Sequence, residues 1–288
     1  MSYIIYAWLA SLTFGLSVVI AKIVAKHSIK NMWYFNFIYA LFSFLYVIPF
    51  ALRYELVFPV IWHNLILSSI FDALALVFYT LTLYNLDVSI IGPLFNLRSA
   101  FAAILGVFIL RETLSLTQIG LILVIFIAGF FVSFTNSFSI KKFLSKSIIF
   151  GIIMAFFSAL RVIFINKSIE DVGLWETNLL NPLFSVILLL VTIPFFYKDI
   201  KKTKKIQVVG IAVSAILVTI GTIFSNFAYE VNVSISSNIV SLPFSMIIVF
   251  ILSFIWPKLL EKHSLKIYMI RFTCAFIMIF SALKLSGV

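Results

Sequence analysis

The chain has 288 residues, 63% hydrophobic and only 11% charged, with a formal net charge of +11 and a mean hydropathy of +1.19. A soluble chain carries about a quarter charged residues, so this composition excludes a soluble globule and makes lipid the solvent. The positive charge sits in short loops beside apolar segments, where it anchors topology; the broad basic face of a nucleic-acid binder is missing, and no nucleic-acid partner is expected.

In chain order, apolar segments of about the 20 residues needed to span a bilayer run at roughly 3–25, 32–51, 62–84, 90–110, 116–135, 147–168, 176–197, 208–229, 236–256 and 265–286. Their apolar runs are continuous and do not alternate, which indicates helices and not barrel strands. The expected fold is therefore an all-α membrane protein of ten transmembrane helices. The first segment lacks the basic flank and cleavage site of a signal peptide and reads as a retained span. Pro49, Pro59, Pro194 and Pro257 fall at span ends. Pro93 and Pro243 fall just inside spans four and nine, as first-turn residues or as irregular openings, the first-turn reading being preferred.

Lys and Arg concentrate in the odd-numbered loops, with clusters at 141–146 and 198–205. That bias puts the odd loops in the cytoplasm and both termini outside. Cys274 is the single cysteine, so neither an intramolecular disulfide nor a cysteine metal site is expected. His27, His63 and His263 show no ligand spacing, and neither a metal nor a cofactor is expected. The His-Glu-x-x-His, Gly-x-Ser-x-Gly and Walker A patterns are missing, which argues against an enzyme and against an ATP-driven pump.

The chain reads as one module written twice. Tyr79 to Pro93 is 14 residues, as is Tyr229 to Pro243. Trp33, Asn36 and Ser43 recur as Trp175, Asn178 and Ser185 at a shift of 142, and Ala10, Thr13 and Lys22 as Ala155, Ser158 and Lys167 at a shift of 145. Two five-helix halves are expected, over residues 1–136 and 145–288. Because five is odd, the second copy starts on the opposite membrane face. Inverted repeats of this kind build secondary transporters with a site between the halves.

Ionisable groups inside spans are costly and usually face a cavity. Asp72 in span three and Arg98 in span four lie at similar depths, and their spans are joined by a short turn. An Asp72–Arg98 pair is expected, either as a structural ion pair or as a site meeting substrate or a coupling proton, with Asp72 the proton-coupling candidate. Arg161 is expected to snorkel to the headgroups, with a cavity role second, and Glu230 to reach its side. Lys22, Lys167 and Arg271 read as snorkelling anchors. On span three Asp72 and Tyr79 share a face at helical spacing, matched by Thr222, Asn226 and Tyr229 on span eight. Asn36 and Asn178, Thr13 and Ser158, and Asn96 and Asn238 extend this polar set, either as cavity lining or as glue between helices.

The segments Asp87-Val88-Ser89, Pro93-Leu94 and Leu110-Arg111-Glu112-Thr113-Leu114-Ser115 with Gln118 and Gly120, together with Phe14-Gly15 and Lys22, resemble the drug/metabolite transporter superfamily, in its EamA-like ten-helix branch. The resemblance implies two inverted five-helix repeats and a central cavity worked by alternating access. It implies export of amino acids, other small metabolites, sugars or toxic organic compounds. Taken together with the polar and charged residues read within the spans, the candidate substrate-binding residues are Phe14, Asp72, Tyr79, Asn96, Arg98, Arg161, Asn226, Tyr229 and Asn238. The expected protein is a monomer or homodimer in the cytoplasmic membrane. The alternatives are a carrier of phosphorylated, nucleotide-linked or lipid-linked sugars, and a membrane subunit that transports nothing. Three features depart from the family pattern: the usual helix-four proline would fall near Ser99, the second copy's 258–263 segment is weak, and Arg98 and Arg161 have no counterpart. The family also commonly keeps both termini in the cytoplasm, against the lysine distribution followed here.

Overall fold

A computed structural model describes residues 2–110, 115–132, 145–256, 258–260 and 263–285. It is built of helices: α1 (Tyr3–His27), α2 (Met32–Ala51), α3 (His63–Asn85), α4 (Val88–Leu94), α5 (Leu97–Leu110), α6 (Leu116–Val132), α7 (Lys146–Val172), α8 (Leu174–Leu189), α9 (Tyr197–Ile200), α10 (Lys205–Val231), α11 (Val233–Val240), α12 (Phe244–Ile255) and α13 (Leu265–Leu285). Among the described residues nine stretches are long and apolar enough to cross a membrane, and Leu116–Gly129 is a shorter apolar helix at the expected fifth position. Arg111–Leu114, Asn136, Lys141, Lys142, Pro257, Glu261 and Lys262, which entered the expectations above, lie outside the described residues.

Helix ends follow local chemistry. The Asn31 side chain accepts from the Trp33 and Tyr34 amides at the start of α2, satisfying donors that have no partner within the helix. Asn232 does the same for Ile235 at the start of α11. Gly173, at φ +99°, ends α7, a conformation that side chains with a Cβ rarely adopt. Ser115 and Gln118 cap α6 reciprocally.

The halves interlock. α1 packs chiefly on α10, α3 on α7, α2 on α8, and α6 on α13, while α4 meets α12. Each main partner of a first-half span thus comes from the second half. The exposed side chains include many large hydrophobic ones, such as Trp8, Phe108, Leu123 and Phe276, as befits a surface facing lipid.

Spans four and nine are both broken, and the preferred first-turn reading of their prolines is overturned. Pro93 is the sixth residue of α4, which stops one residue later. A proline there lacks the amide that the helix needs and crowds the carbonyl four residues back. The chain tightens through Asn96 to Pro93 and Ser99 to Asn96 backbone bonds before α5 resumes. In span nine the break runs from Ser241 to Pro243, with Pro243 at φ −81° and ψ 55°.

Candidate functional site

The two broken helices meet at the centre of the molecule. A Cβ on Gly92 would lie 2.9 Å from Ser245 Oγ and 3.2 Å from Pro243 Cβ, so only glycine lets α4 approach the second break this closely. Gly15 plays the same part for α1, where an added Cβ would stand 2.7 Å from Phe244 Cβ. The freed backbone is partly satisfied from the side: Ser11 Oγ donates to the Leu242 carbonyl at 3.3 Å, and Ser241 Oγ to the Asn238 carbonyl at 2.9 Å, while Asn96 Oδ1 lies 3.3 Å from the same Ser241 hydroxyl. Non-helical backbone at this depth is tolerated where it is buried in protein or lines a cavity.

A central cavity of about 180 Å³ lies against this crossing. Its wall comes from both halves: Phe14 from α1, Asp72 and Tyr79 from α3, Arg98 from α5, Arg161 from α7, and Tyr229 from α10. A second cavity of about 90 Å³ lies toward Asn178 and Ser185 of α8. The two share Tyr39, Asp72, Leu76, Arg161, Val218 and Thr222, so the charged pair stands at their boundary.

That pair is not the expected one. Arg161 Nε lies 2.5 Å from Asp72 Oδ1, while Ser185 Oγ donates to Asp72 Oδ2 at 3.0 Å. Packing of α3 on α7 brings Arg161 to Asp72, so Arg161 turns into the protein instead of snorkelling, and Glu230 is exposed. Arg98, 7% exposed, crosses to the other half and donates through Nη2 to the Ser237 carbonyl at 2.6 Å. Its Nε is buried without a hydrogen-bond partner.

Six of the nine candidate residues therefore line one cavity, and three do not. Asn226 donates to Asn178 Oδ1 at 2.8 Å between α10 and α8. Asn238 donates to the Ala282 carbonyl at 2.8 Å on α13. Asn96 is wholly buried between the two breaks. Asn36 likewise holds α2 to α3 through Leu76 and Thr80. These asparagines are glue between helices. Tyr39 and Ser17 line the cavity without having been singled out in the sequence, and their hydroxyls are 3.0 Å apart. Ser17 also exchanges bonds with Ser214 across α1 and α10. Two hydroxyl residues within apolar helices carry no distinctive spacing, so no sequence signal marked them.

A second ionic cluster joins the halves at the loop face. His263 Nε2 lies 2.9 Å from Asp87 Oδ2. Arg271 is fully buried, donates to Ser89 Oγ and lies 3.9 Å from Asp87. Lys22 Nζ donates to the Leu83 and Leu86 carbonyls at 2.5 and 2.7 Å, closing the end of α3. Lys22 and Arg271 are thus internal ties and not snorkelling anchors, because the spans carrying them pack against the α3–α4 turn. Lys167 lies over the Phe164 ring. Burial opposes ionisation of Asp87, but the His263 hydrogen bond and charge, with Arg271 and Lys22, hold its carboxyl below the usual range.

Membrane helices, two of them broken, enclosing a charge-lined cavity make a multi-pass membrane protein of the transporter class. Residues 1–134 match the family model described as EamA-like transporter family, a match over the first half that supports membership of the drug/metabolite transporter superfamily. Members of that family are transporters and not enzymes. A solved structure described only as "Crystal structure of protein" has a similar fold, with a TM-score of 0.59 at 11% identity, covering 97% of this chain and 98% of that one. No curated protein matches the chain.

Proposed function

We propose that this transporter is a secondary exporter of small amphipathic metabolites in the cytoplasmic membrane. The carrying observation is the cavity between the two breaks, walled by aromatic and charged side chains from both halves. Residues 1–136 and 145–288 act as inverted repeats that rock about it in alternating access. The mutual packing of α1 with α10 and α3 with α7 supports this, since each pair exchanges for the other when the halves are swapped. Phe14, Tyr79 and Tyr229 would hold the apolar part of the substrate and Arg98 its polar end, while Asp72 and Arg161 stand paired beside it. Asp72 is the coupling candidate: a proton on it would release Arg161. The odd loops face the cytoplasm.

Flux of a panel of amphipathic organic acids, amino acids and drugs into proteoliposomes tests the reading. Saturable uptake that Asp72→Asn abolishes is expected, and a protein that moves nothing in the panel refutes it. A carrier of phosphorylated or nucleotide-linked sugars is the second reading, favoured by the two arginines in the wall. Surface labelling of a cysteine at Lys202 in intact cells would overturn the orientation.

A further inference from the structure

The charged residues of the central cavity do not balance. Its described wall holds two arginines, Arg98 and Arg161, against one carboxylate, Asp72. Asp72 is already engaged on both oxygens, by Arg161 on one and Ser185 on the other. Arg98 has a neutral carbonyl as its hydrogen-bond partner and an unsatisfied Nε. A cation in so apolar a setting is costly unless an anion meets it.

Resting on the transporter reading, we propose that the cavity's ligand is an amphipathic monocarboxylate whose carboxylate docks on Arg98. The remaining wall fits the rest of such a molecule, since Phe14, Leu76, Phe95, Met154 and Val218 are apolar. One guanidinium left over after the Asp72–Arg161 pair matches one negative charge. A zwitterion would need a second anionic group for its ammonium, and Asp72 is occupied. A dianion, such as a phosphate monoester, would need Arg161, which Asp72 holds.

Purified full-length protein in detergent is titrated with four compounds of similar shape: phenylpyruvate (monoanion), phenylalanine (zwitterion), hydrocinnamide (neutral) and benzylmalonate (dianion). Ligand-induced thermal stabilisation is read. Phenylpyruvate alone is expected to stabilise the wild type, with affinity falling roughly tenfold or more in Arg98→Gln and recovering in part in Arg98→Lys. Asp72→Asn, which leaves Arg161 unpaired, is expected to raise affinity for benzylmalonate above that for phenylpyruvate. Should Arg98→Gln misfold, this switch in preference still decides. The inference is overturned by equal stabilisation from phenylalanine or hydrocinnamide, by a folded Arg98→Gln that keeps the phenylpyruvate response, or by no response to any of the four. Flux of the same compounds into proteoliposomes separates the two readings. Neutral or zwitterionic flux without phenylpyruvate binding removes the monocarboxylate site and keeps the transporter reading. Phenylpyruvate binding that needs Arg98 but gives no flux does the reverse.

Discussion

Two ionic clusters bridge the halves of this protein, and they differ in what surrounds their charges. At the loop face, Asp87 is met by His263 and Arg271, and Lys22 is taken up by two carbonyls at the end of α3. In the centre, Asp72 holds Arg161, and Arg98 stands beside open volume with a nitrogen unsatisfied. The first arrangement meets each of its charges with an opposite charge or with backbone carbonyls and acts as a tie, although Lys22 and Asp87 also border a cavity of about 300 Å³. In the second, Arg98 is met only by a neutral carbonyl, which leaves a charge for something else. Residue type alone does not separate the two; packing does.

The sharpest break in that comparison comes from the buried tie. Arg271→Met leaves Asp87 and Ser89 without their guanidinium, and thermal unfolding in detergent should show a loss of about 3–5 kcal/mol. Ligand preference in the residual folded protein should not change. Arg161→Met should cost less, about 2–3 kcal/mol, because its pair is 15% and 25% exposed to the cavity and water shares the work. It should abolish flux. The double variant Asp72→Asn with Arg161→Gln should regain stability without regaining transport, the signature of a pair whose charges are functional. If the double variant transports normally, the central pair is only a second tie.

Gly15→Ala probes the joint between the clusters. The added methyl group meets Phe244 Cβ and the Ser245 backbone, so a loss of about 1–3 kcal/mol is expected. Flux should fall more than binding if α1 must slide on the second break. The smallest effect is the acid response of the loop face. Asp87 has a lowered carboxyl pKa in the fold, so its contribution is present above its unfolded value of about 3.9 and is lost as pH falls through the folded value. With 36% of its side chain exposed, that contribution is under about 1 kcal/mol after screening. Asp87→Asn should remove this acid limb from a plot of melting temperature against pH.

Much of the architecture was legible in the residues. Continuous apolar runs with positioned prolines marked the spans, because lipid tolerates little else. Charged residues within them stand out for the same reason, Asp72, Arg98 and Arg161 among them. Phe14, Tyr79 and Tyr229 also lie in the cavity wall. The asparagines were ambiguous, since one amide serves equally well as lining or as glue; burial sent Asn96, Asn226 and Asn238 to the seams. Tyr39 and Ser17 went unnoticed among the many tyrosines and serines of the spans.

The sequence by itself determined that the chain lives in a membrane, where most of its helices run, and that Asp72 and Arg98 lie too deep to be incidental. Those properties follow from solvation, which each segment meets on its own. Only the tertiary structure decided which charge meets which. Chain proximity favours Asp72 with Arg98, but α3 packs on α7 across the halves, so Arg161 takes the carboxylate. Arg98 is left facing the cavity, held by a carbonyl just before the second break. Pairing depends on distances between helices far apart in the chain, and no local pattern encodes them.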